Sequence, residues 1–205
     1  MGLYANYIFP RVLEFLMSRP QMTAERRRAL TDISGEVLEI GFGTGLNLPH
    51  YPDTVERLTV IDPARMLPNR VDQRIAEACM PVERVQLDAA HLPFDAARFD
   101  CVVSTWTLCS IDDIDSALRE IARVLKPGGS FLFLEHGRSD EPKTARRQDR
   151  LNPLWRKIGV GCNLNRPIDQ LVRSAGLEIV DLERYLMPNT PRMLGEHYLG
   201  RATVA

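Results

Sequence analysis

Three glycines at alternate positions, with an acid just before them, are the residues of this chain best suited to ligand chemistry. The glycines are Gly41, Gly43 and Gly45. They follow a short apolar run that contains Glu39. A buried strand ending in such a turn leaves its backbone accessible, because glycine tolerates positive φ and carries no Cβ. About twenty residues further on, Asp62 ends a second apolar run, where a carboxylate can reach the hydroxyls of a nucleoside ribose. The spacing predicts a nucleoside ligand across two neighbouring strand ends.

The residues around these glycines disfavour a dinucleotide. The phosphate fingerprint G-x-G-x-x-G needs glycine or alanine where this chain has Leu46. A carboxylate at Glu39 would repel phosphates and suits a ligand with a cationic amino group. The pattern of an acid, any residue and then G-x-G-x-G resembles motif I of the class I S-adenosylmethionine-dependent methyltransferases. The resemblance implies S-adenosyl-L-methionine as cofactor and S-adenosyl-L-homocysteine as product. The alternatives are a non-catalytic S-adenosylmethionine-binding module and, less favoured, an NAD-dependent oxidoreductase.

A second group of polar residues follows the predicted fourth and fifth strands, where sheet enzymes of this kind bind ligands. Residues 105–110 follow strand four, and residues 135–137 follow strand five. An imidazole at His136 could deprotonate or orient an acceptor, since its ordinary pKa lies near 6.5. As a lone histidine it could equally cap a turn. Cys109 is interpreted as a pocket wall, because transfer of a methyl group from a sulfonium is one displacement without a covalent intermediate.

Hydrophobic patterning predicts the sheet that holds these residues in place. Apolar runs predict parallel strands at 36–40, 57–61, 83–87, 99–104 and 130–135. Helices are predicted over 114–125 and 168–175, and the segments 177–185 and 197–204 predict an antiparallel hairpin. The expected fold is α/β, a doubly wound, mostly parallel seven-stranded sheet with an antiparallel C-terminal hairpin. That architecture resembles the Rossmann-like methyltransferase fold.

Two helical segments lie outside this alternation. Residues 1–34 predict an N-terminal helical cap, with Arg26, Arg27 and Arg28 on a solvated face. Residues 138–163 predict an insertion whose apolar stripe is Leu151, Leu154, Trp155 and Ile158, with Pro153 in the first turn of its helix. This helix is predicted either to close over the acceptor site as a lid or to pack as an ordinary surface helix. Its seven Lys and Arg at positions 138–157 favour a solvated face over an anionic substrate or peripheral membrane contact.

Composition predicts one domain over residues 1–205 in a cytoplasmic protein. The net charge of −1 gives no field for nucleic acid, and no apolar run approaches the ~20 residues of a membrane span. The four cysteines have no C-x-x-C spacing, so reduced thiols are favoured over a disulfide or zinc. No metal site is predicted, which disfavours metal-assisted catechol chemistry. No feature of the composition predicts an oligomeric state.

Four further segments make the resemblance specific to one subgroup of this family. They are Cys109-Ser110, residues 119–129, Glu135-His136 and residues 161–166. Together they resemble the subgroup that includes the alkyl thiol S-methyltransferases of animal membranes and small bacterial relatives. The activity implied is methyl transfer from S-adenosylmethionine to a small-molecule acceptor such as a thiol. The animal members begin with a long hydrophobic anchor and this chain with a short amphipathic helix, which weakens the inference to membranes and thiols.

The resemblance assigns site residues one by one. The cofactor-binding set is Glu39, Gly41, Gly43, Gly45, Asn47, Asp62, Pro63, Asp88, Ala89, Thr105, Tyr4 and Tyr7. Within it the glycines contact the methionine part, Asp62 the ribose, and Asp88 with Ala89 the adenine, while the two tyrosines close over the cofactor. Asp88 could otherwise cap or form a turn. His136 is the catalytic candidate, and the substrate-binding set is Cys109, Trp155 and Asn163.

Overall fold

A seven-stranded sheet forms the centre of the computed structural model, which describes residues 2–204. The strands are β1 (Gly35–Ile40), β2 (Val55–Ile61), β3 (Val82–Val85), β4 (Phe99–Thr105), β5 (Leu125–His136), β6 (Leu177–Leu186) and β7 (Glu196–Val204). Their order across the sheet is β3-β2-β1-β4-β5-β7-β6. Strands β1 to β5 pair in parallel, and β7 pairs antiparallel with both β5 and β6. The predicted sheet with its antiparallel C-terminal hairpin is confirmed.

The helices complete the doubly wound arrangement. They are α1 (Phe9–Met17), α2 (Pro20–Leu30), α3 (Pro68–Ala76), α4 (Ile114–Val124), α5 (Pro142–Ile158), α6 (Ile168–Ser174) and α7 (Arg192–Gly195). A π-helical turn, Tyr4–Ile8, precedes α1, and a 3-10 turn spans Leu48–His50. Asp113 caps α4 by accepting a hydrogen bond from the Ser116 N–H. Within residues 2–204, no helix combines the length and the apolar character that crossing a membrane requires.

Alternation along the strands builds a core on each face of the sheet. On one face Leu38, Val102 and Phe133 pack in a cluster that includes residues of α4 and α6. On the other face Val37 and Val103 pack in a cluster that includes residues of α2 and α3. Successive side chains point to opposite faces of a strand, so a continuous apolar run supplies both cores.

The strand order reverses between β1 and β4, and this reversal creates the ligand crevice. Ile40 at the end of β1 pairs in register with Ser104 near the end of β4. The loops that leave these two strands therefore diverge from adjacent points. In open α/β sheets this topological switch point is where ligands bind.

Two amphipathic helices leave their apolar stripes exposed to solvent. On α1 the buried residues are Pro10 and Glu14, while the apolar stripe is exposed, with Phe15 at 67%. On α5 the stripe of Leu151, Leu154 and Ile158 is exposed, and the buried residues are Thr144, Ala145 and Gln148. Polar partners inside the fold decide which face is buried, and periodicity does not reveal them.

Two local predictions, one in α5 and one in α2, are wrong. Pro153 lies inside α5, which begins at Pro142, so the prediction that it opens the helix does not hold. Because proline lacks an N–H, the helix forgoes one backbone hydrogen bond there. Arg26 is only 5% exposed, whereas Arg27 and Arg28 are solvated as predicted.

Candidate active site

The glycine loop after β1 adopts the backbone that its sequence predicts. Gly41, Gly43 and Gly45 all have positive φ, between 57° and 78°. A Cβ on Gly41 would overlap the Thr107 side chain, whereas a Cβ on Gly43 would meet nothing closer than a backbone oxygen at 3.9 Å. Gly41 therefore permits close packing of two loops, and Gly43 is the glycine that leaves room beside the backbone.

Asp62 ties the end of β2 to this loop. Its carboxylate accepts hydrogen bonds from the Gly43 N–H and the Ala64 N–H, both at 2.8 Å. Burial raises the pKa of Asp62, although those two bonds oppose the rise. The neighbouring Pro63 is exposed, and its carbonyl accepts a bond from Gln86 at 2.9 Å. The predicted ribose-binding carboxylate thus lies directly beside the glycine loop.

Glu39 is buried beneath the loop. It is 2% exposed, and its two oxygens accept hydrogen bonds from Asn47 Nδ2 at 2.9 Å and Tyr51 Oη at 2.8 Å. Burial raises the pKa of Glu39 to about 7. Asn47 Nδ2 also donates to Thr105 Oγ1 at 3.0 Å, while Asn47 Oδ1 is buried with no partner among residues 2–204. The acceptor available to a cationic ligand is therefore the Asn47 carbonyl, which Glu39 holds in position.

Arg26 supplies a buried positive charge that the sequence did not indicate. Its guanidinium lies 4.7 Å from the ring centre of Trp106 and donates to the Met17 carbonyl at 2.7 Å. Burial lowers the pKa of Arg26 to about 10, opposed by the charges of Glu39 and Glu14. Trp106 itself has a φ of 50°, unusual for a bulky residue. A run of three arginines predicts solvent-exposed side chains, and nothing in the sequence distinguishes Arg26 from Arg27 and Arg28.

Glu14 attaches the N-terminal helix to the glycine loop. Its carboxylate accepts a hydrogen bond from the Thr44 hydroxyl and pairs with Arg74 at 2.7 Å and Arg70 at 3.0 Å. Burial would raise the pKa of Glu14, but the bonds from Arg74, Thr44 and Arg70 outweigh burial and lower it. Arg74 also donates to the Thr44 carbonyl at 2.6 Å. Glu14 was not predicted from the sequence; an acid in a helix with apolar neighbours was the available signal.

Asp88 and Ala89 lie in the loop after β3. Asp88 is exposed, and its Oδ1 accepts a hydrogen bond from the Ala90 N–H at 2.9 Å. The structure thus realises the turn-forming role that was the alternative for Asp88. Ala89 is 5% exposed. Binding of adenine by these two residues stays a prediction.

The predicted tyrosines lie in the π-helical turn. Tyr4 donates to the Ile158 carbonyl at 2.9 Å, so it joins the N-terminal segment to the end of α5. Tyr7 is 59% exposed, and its carbonyl accepts a bond from Arg11 at 2.5 Å. Closure over a cofactor stays a prediction for both residues.

Glu135 shapes the acceptor side of the crevice. It is fully buried, and its Oε1 accepts bonds from Ser104 Oγ at 2.8 Å, Thr107 N at 2.9 Å and Leu108 N at 3.0 Å. Burial raises the pKa of Glu135 against those bonds. One carboxylate oxygen thereby fixes the start of the loop that leads to Cys109.

His136 lies beside a cysteine that the sequence places 26 residues away. Its Nε2 is 3.1 Å from Cys162 Sγ, and Trp155 Nε1 donates to the same sulfur at 3.3 Å. Burial lowers the pKa of His136, but its hydrogen bond to Cys162 and the charge of Glu135 outweigh burial and raise it. The neighbouring Cys109 thiol and burial raise the pKa of Cys162. Two thiols and an imidazole therefore share one buried corner.

Asn163 holds this corner together. Its backbone N–H and its Nδ2 both donate to the Cys109 carbonyl, at 2.8 Å and 2.9 Å. Its Oδ1 accepts a bond from Asn152 on α5 at 3.1 Å. Asn163 was predicted to bind substrate; in the structure its amide spans the loop after β4 and α5. Direct contact with an acceptor stays a prediction.

His197 is a neighbour that sequence analysis did not select. It pairs with His136 across β5 and β7, is 2% exposed, and its Nδ1 lies 2.8 Å from the Gly195 carbonyl. Burial lowers the pKa of His197 to about 4, so this imidazole is neutral at pH 7. It contributes bulk and no charge to the floor behind His136.

Comparison with known proteins identifies the family to which this chain is similar. Residues 38–133 match the family model described as a methyltransferase domain. The chain is 31% identical to thiol S-methyltransferase TMT1A of Homo sapiens, over 89% of this chain and 79% of that protein. It is 32% identical to thiol S-methyltransferase TMT1B of Rattus norvegicus, over 95% of this chain and 85% of that protein.

A solved structure shares the fold. It is the Burkholderia thailandensis 1,6-didemethyltoxoflavin-N1-methyltransferase with bound 1,6-didemethyltoxoflavin and S-adenosylhomocysteine. The two superpose with a TM-score of 0.70 at 19% identity, over 96% of this chain and 84% of that one. Together these matches favour the methyltransferase interpretation over an oxidoreductase or a binding module.

Proposed function

The chain belongs to the S-adenosylmethionine-dependent methyltransferases, and from that premise we propose that it methylates the sulfur of a small thiol. S-adenosyl-L-methionine is the methyl donor of the family, and S-adenosyl-L-homocysteine is the product. The acceptor is the new element of this proposal. Relatives named as thiol S-methyltransferases support it, and so does the chemistry at the ends of β4 and β5.

We assign the donor to the crevice between the glycine loop and the loop after β4. The open space beside Gly43 admits a ligand, and the unpartnered Asn47 Oδ1 suits an ammonium group. Asp62 would accept from ribose hydroxyls, and Asp88 with Ala89 would border the adenine. Glu39 would act through Asn47, whose amide it orients over 2.9 Å. The residues present therefore fit a donor that carries an amino acid and a nucleoside.

The acceptor half of the site would have to favour a thiolate. A thiol reacts as its thiolate, and either a base or a cation beside the sulfur favours that form. His136 is the residue we propose for this activation. The acceptor sulfur attacks the methyl group in line, so a sulfur–carbon bond forms as the sulfonium–methyl bond breaks, and the thiol proton leaves to solvent. Positioning of the two reactants can supply ~7–11 kcal/mol of the acceleration.

One observation carries the proposal: a buried imidazole lies among sulfur atoms where the acceptor loop meets the donor crevice. His136 is 8% exposed and lies 3.1 Å from Cys162 Sγ. The loop that carries Cys109 follows Thr105, whose hydroxyl accepts from Asn47 in the donor half. A corner that already accommodates sulfur beside an imidazole suits a sulfur acceptor better than a hydroxyl acceptor, which would need a stronger base.

The test is transfer of labelled methyl from S-adenosylmethionine to a panel of small thiols, amines, phenols and quinol precursors. We expect label in the thiols. Asp62→Asn should weaken donor binding about 10- to 100-fold, because a hydrogen bond to a charged group contributes about 1.5–3 kcal/mol. Asp53→Asn is the matched control, since Asp53 is an exposed aspartate before β2. Calorimetric titration with S-adenosylhomocysteine measures the donor site separately.

Other results would contradict this proposal in distinct ways. Label found only in amines, phenols or quinol precursors would agree with methyltransferase activity but would refute a thiol as the acceptor. Product binding without transfer to any acceptor would favour a binding module. Equal binding by the Asp62 and Asp53 variants would discard the assignment of the ribose-binding carboxylate.

We further propose that residues 1–34 and 138–163 act as a cap and a lid on the site. Glu14 fastens the cap to the glycine loop through Thr44, and Tyr4 joins the cap to α5 over 2.9 Å. Limited proteolysis with and without S-adenosylhomocysteine tests the idea. Protection of both segments by the ligand is expected, and unchanged cleavage of both would contradict it.

The exposed apolar stripes support a proposal of peripheral membrane contact. Phe15 on α1 is 67% exposed and Leu154 on α5 is 59% exposed, and seven Lys and Arg lie in residues 138–157. Sedimentation with phosphatidylserine vesicles should retain the protein, and phosphatidylcholine vesicles should retain less. Phe15→Ser combined with Leu154→Ser should lower the bound fraction. No retention on either vesicle would contradict the contact.

A further inference from the structure

Three side chains that can ligate a metal ion converge at the ends of β4 and β5. Cys109 lies in the loop after β4, His136 ends β5, and Cys162 follows α5. One ligand atom of each residue lies within 4.8 Å of the other two. His136 Nε2 and Cys162 Sγ are 3.1 Å apart. The three residues come from three separate parts of the chain, so only the fold assembles them.

The surroundings of the cluster suit thiolate and imidazole ligands. Cys109 is 2% exposed and His136 is 8% exposed, so bulk water has little access. The indole N–H of Trp155 donates to Cys162 Sγ at 3.3 Å, as outer-shell donors do toward ligating groups. The second ring nitrogen of His136, Nδ1, is buried without a partner in the described part of the chain. The ring can therefore offer either nitrogen to a ligand.

We propose that Cys109, His136 and Cys162 bind a Zn²⁺ ion through two thiolates and one imidazole. Soft sulfur and imidazole ligands favour zinc, whereas magnesium and calcium require oxygen. With Zn–S near 2.3 Å and Zn–N near 2.0 Å, ligand atoms of a tetrahedral site lie roughly 3.5–3.8 Å apart. The observed spacings, 3.1 Å between His136 Nε2 and Cys162 Sγ and at most 4.8 Å within the cluster, bracket that range.

Charge balance supports zinc at a buried position. Each thiol releases its proton to solvent as its sulfur–zinc bond forms, and no electrons are transferred. Two thiolates and one divalent ion sum to zero charge. A neutral cluster avoids the penalty of an unpaired buried charge.

A site with three protein ligands leaves the fourth position of zinc open, as catalytic zinc sites do. We assign that position to the acceptor sulfur, an assignment that rests on the proposed function. A thiol coordinated to zinc loses its proton to solvent, which provides the thiolate that methyl transfer requires. The cluster then carries one negative charge, and methyl transfer from the sulfonium cation removes it. His136 then activates the acceptor as a zinc ligand.

Titration of the reduced, metal-free full chain with Co²⁺, a spectroscopic substitute for zinc, tests the site without any methyl donor. One equivalent should produce sulfur-to-cobalt charge-transfer absorption and the intense visible bands of tetrahedral cobalt, and Zn²⁺ should displace them. Cys109→Ser, Cys162→Ser and His136→Gln should each weaken binding by at least ~100-fold, beyond the 10–100-fold typical of outer-shell changes. Cys79→Ser is the matched control, because Cys79 is exposed and outside the cluster.

Three results would overturn the inference: no one-to-one binding, binding that survives the three ligand variants, or equal loss in the Cys79 control. Circular dichroism of each variant excludes unfolding as the cause. Thiol methylation measured before and after chelation separates the two proposals. A tenfold or greater loss that Zn²⁺ restores supports zinc activation. Metal binding without thiol methylation would refute the proposed function alone, and methylation unaffected by chelation would refute zinc activation alone.

Discussion

Replacing Glu14 with glutamine tests whether the N-terminal helix holds the glycine loop in place. The carboxylate pairs with Arg74 at 2.7 Å and Arg70 at 3.0 Å, and it accepts from the Thr44 hydroxyl. Glutamine keeps the size and one acceptor oxygen but removes the charge. Arg74 would then face the loop without its anionic partner.

The size of the effect follows from exposure. The Glu14 and Arg74 side chains are 6% and 20% exposed, so their charged hydrogen bond falls in the range of ~1.5–3 kcal/mol. The Arg70 side chain is 56% exposed, so its bridge adds only ~0–1 kcal/mol. We therefore expect a loss of about 1.5–4 kcal/mol in the free energy of unfolding. At ~2–4 °C per kcal/mol for a chain of this size, the midpoint of thermal unfolding should fall roughly 3–16 °C.

Thermal and urea unfolding measure this loss, and calorimetry with S-adenosylhomocysteine measures its effect on the donor site. Glu56→Gln, at an exposed glutamate on β2, is the matched control. Glu14→Gln, Arg74→Gln and the double variant form a cycle whose coupling energy isolates the pair. Additive single effects, or a Glu14 variant that behaves as the Glu56 control in both assays, would refute the reasoning.

Three further predictions concern the floor of the crevice. Gly41→Ala should destabilise the protein by several kcal/mol in urea unfolding, because the new Cβ overlaps Thr107 and adds ~1–2 kcal/mol of left-handed strain. Folded Glu39, whose pKa burial raises to about 7, keeps a proton that the unfolded chain releases near pH 4.3. Stability should thus fall as pH rises from about 4.3 to 7, and Glu39→Gln should remove this fall from urea midpoints. Glu135→Gln should raise KM for the acceptor at least ~5-fold with donor affinity unchanged, because the loss of ~1 kcal/mol loosens the loop after β4.

Each of these predictions has its own control or refuting result. Gly128→Ala carries the same positive φ with nothing within 4 Å of the new Cβ, so equal losses at both glycines would disprove the overlap with Thr107. An identical pH profile for wild type and the Glu39 variant would assign the proton to another group. An equal change in donor and acceptor affinity for Glu135→Gln would mean general loosening of the fold.

Local pattern was sufficient to predict most of the architecture. The strand predicted at 99–104 is β4 (Phe99–Thr105), and the helix predicted at 114–125 is α4 (Ile114–Val124). The fifth strand was predicted at 130–135, yet β5 begins at Leu125 because that residue already pairs with Phe99. The hydrophobic patterns of strands and helices repeat over a few residues. They can therefore be recognised without knowing which strands pair.

The electrostatics of the site could not be predicted in the same way. The apolar stripe of α1 is exposed, and the fold buries Glu14 instead because Arg74, sixty positions away, neutralises it. Arg26 was assigned to solvent with its neighbours, but the face of Trp106 and the charges of Glu39 and Glu14 hold it inside. Such contacts between distant charged side chains leave no periodic pattern in the sequence, so only the tertiary structure reveals them.

The sequence by itself determined the sheet, the glycine loop and the acid at the end of β2, because strand periodicity and turn chemistry depend on residues close together in the chain. Tertiary structure alone decided that Cys109, His136 and Cys162 share one corner. These residues lie 26 or more positions apart, and no local spacing brings their ligand atoms together. The parallel register of β4 and β5, together with the return of the chain after α5, makes them neighbours.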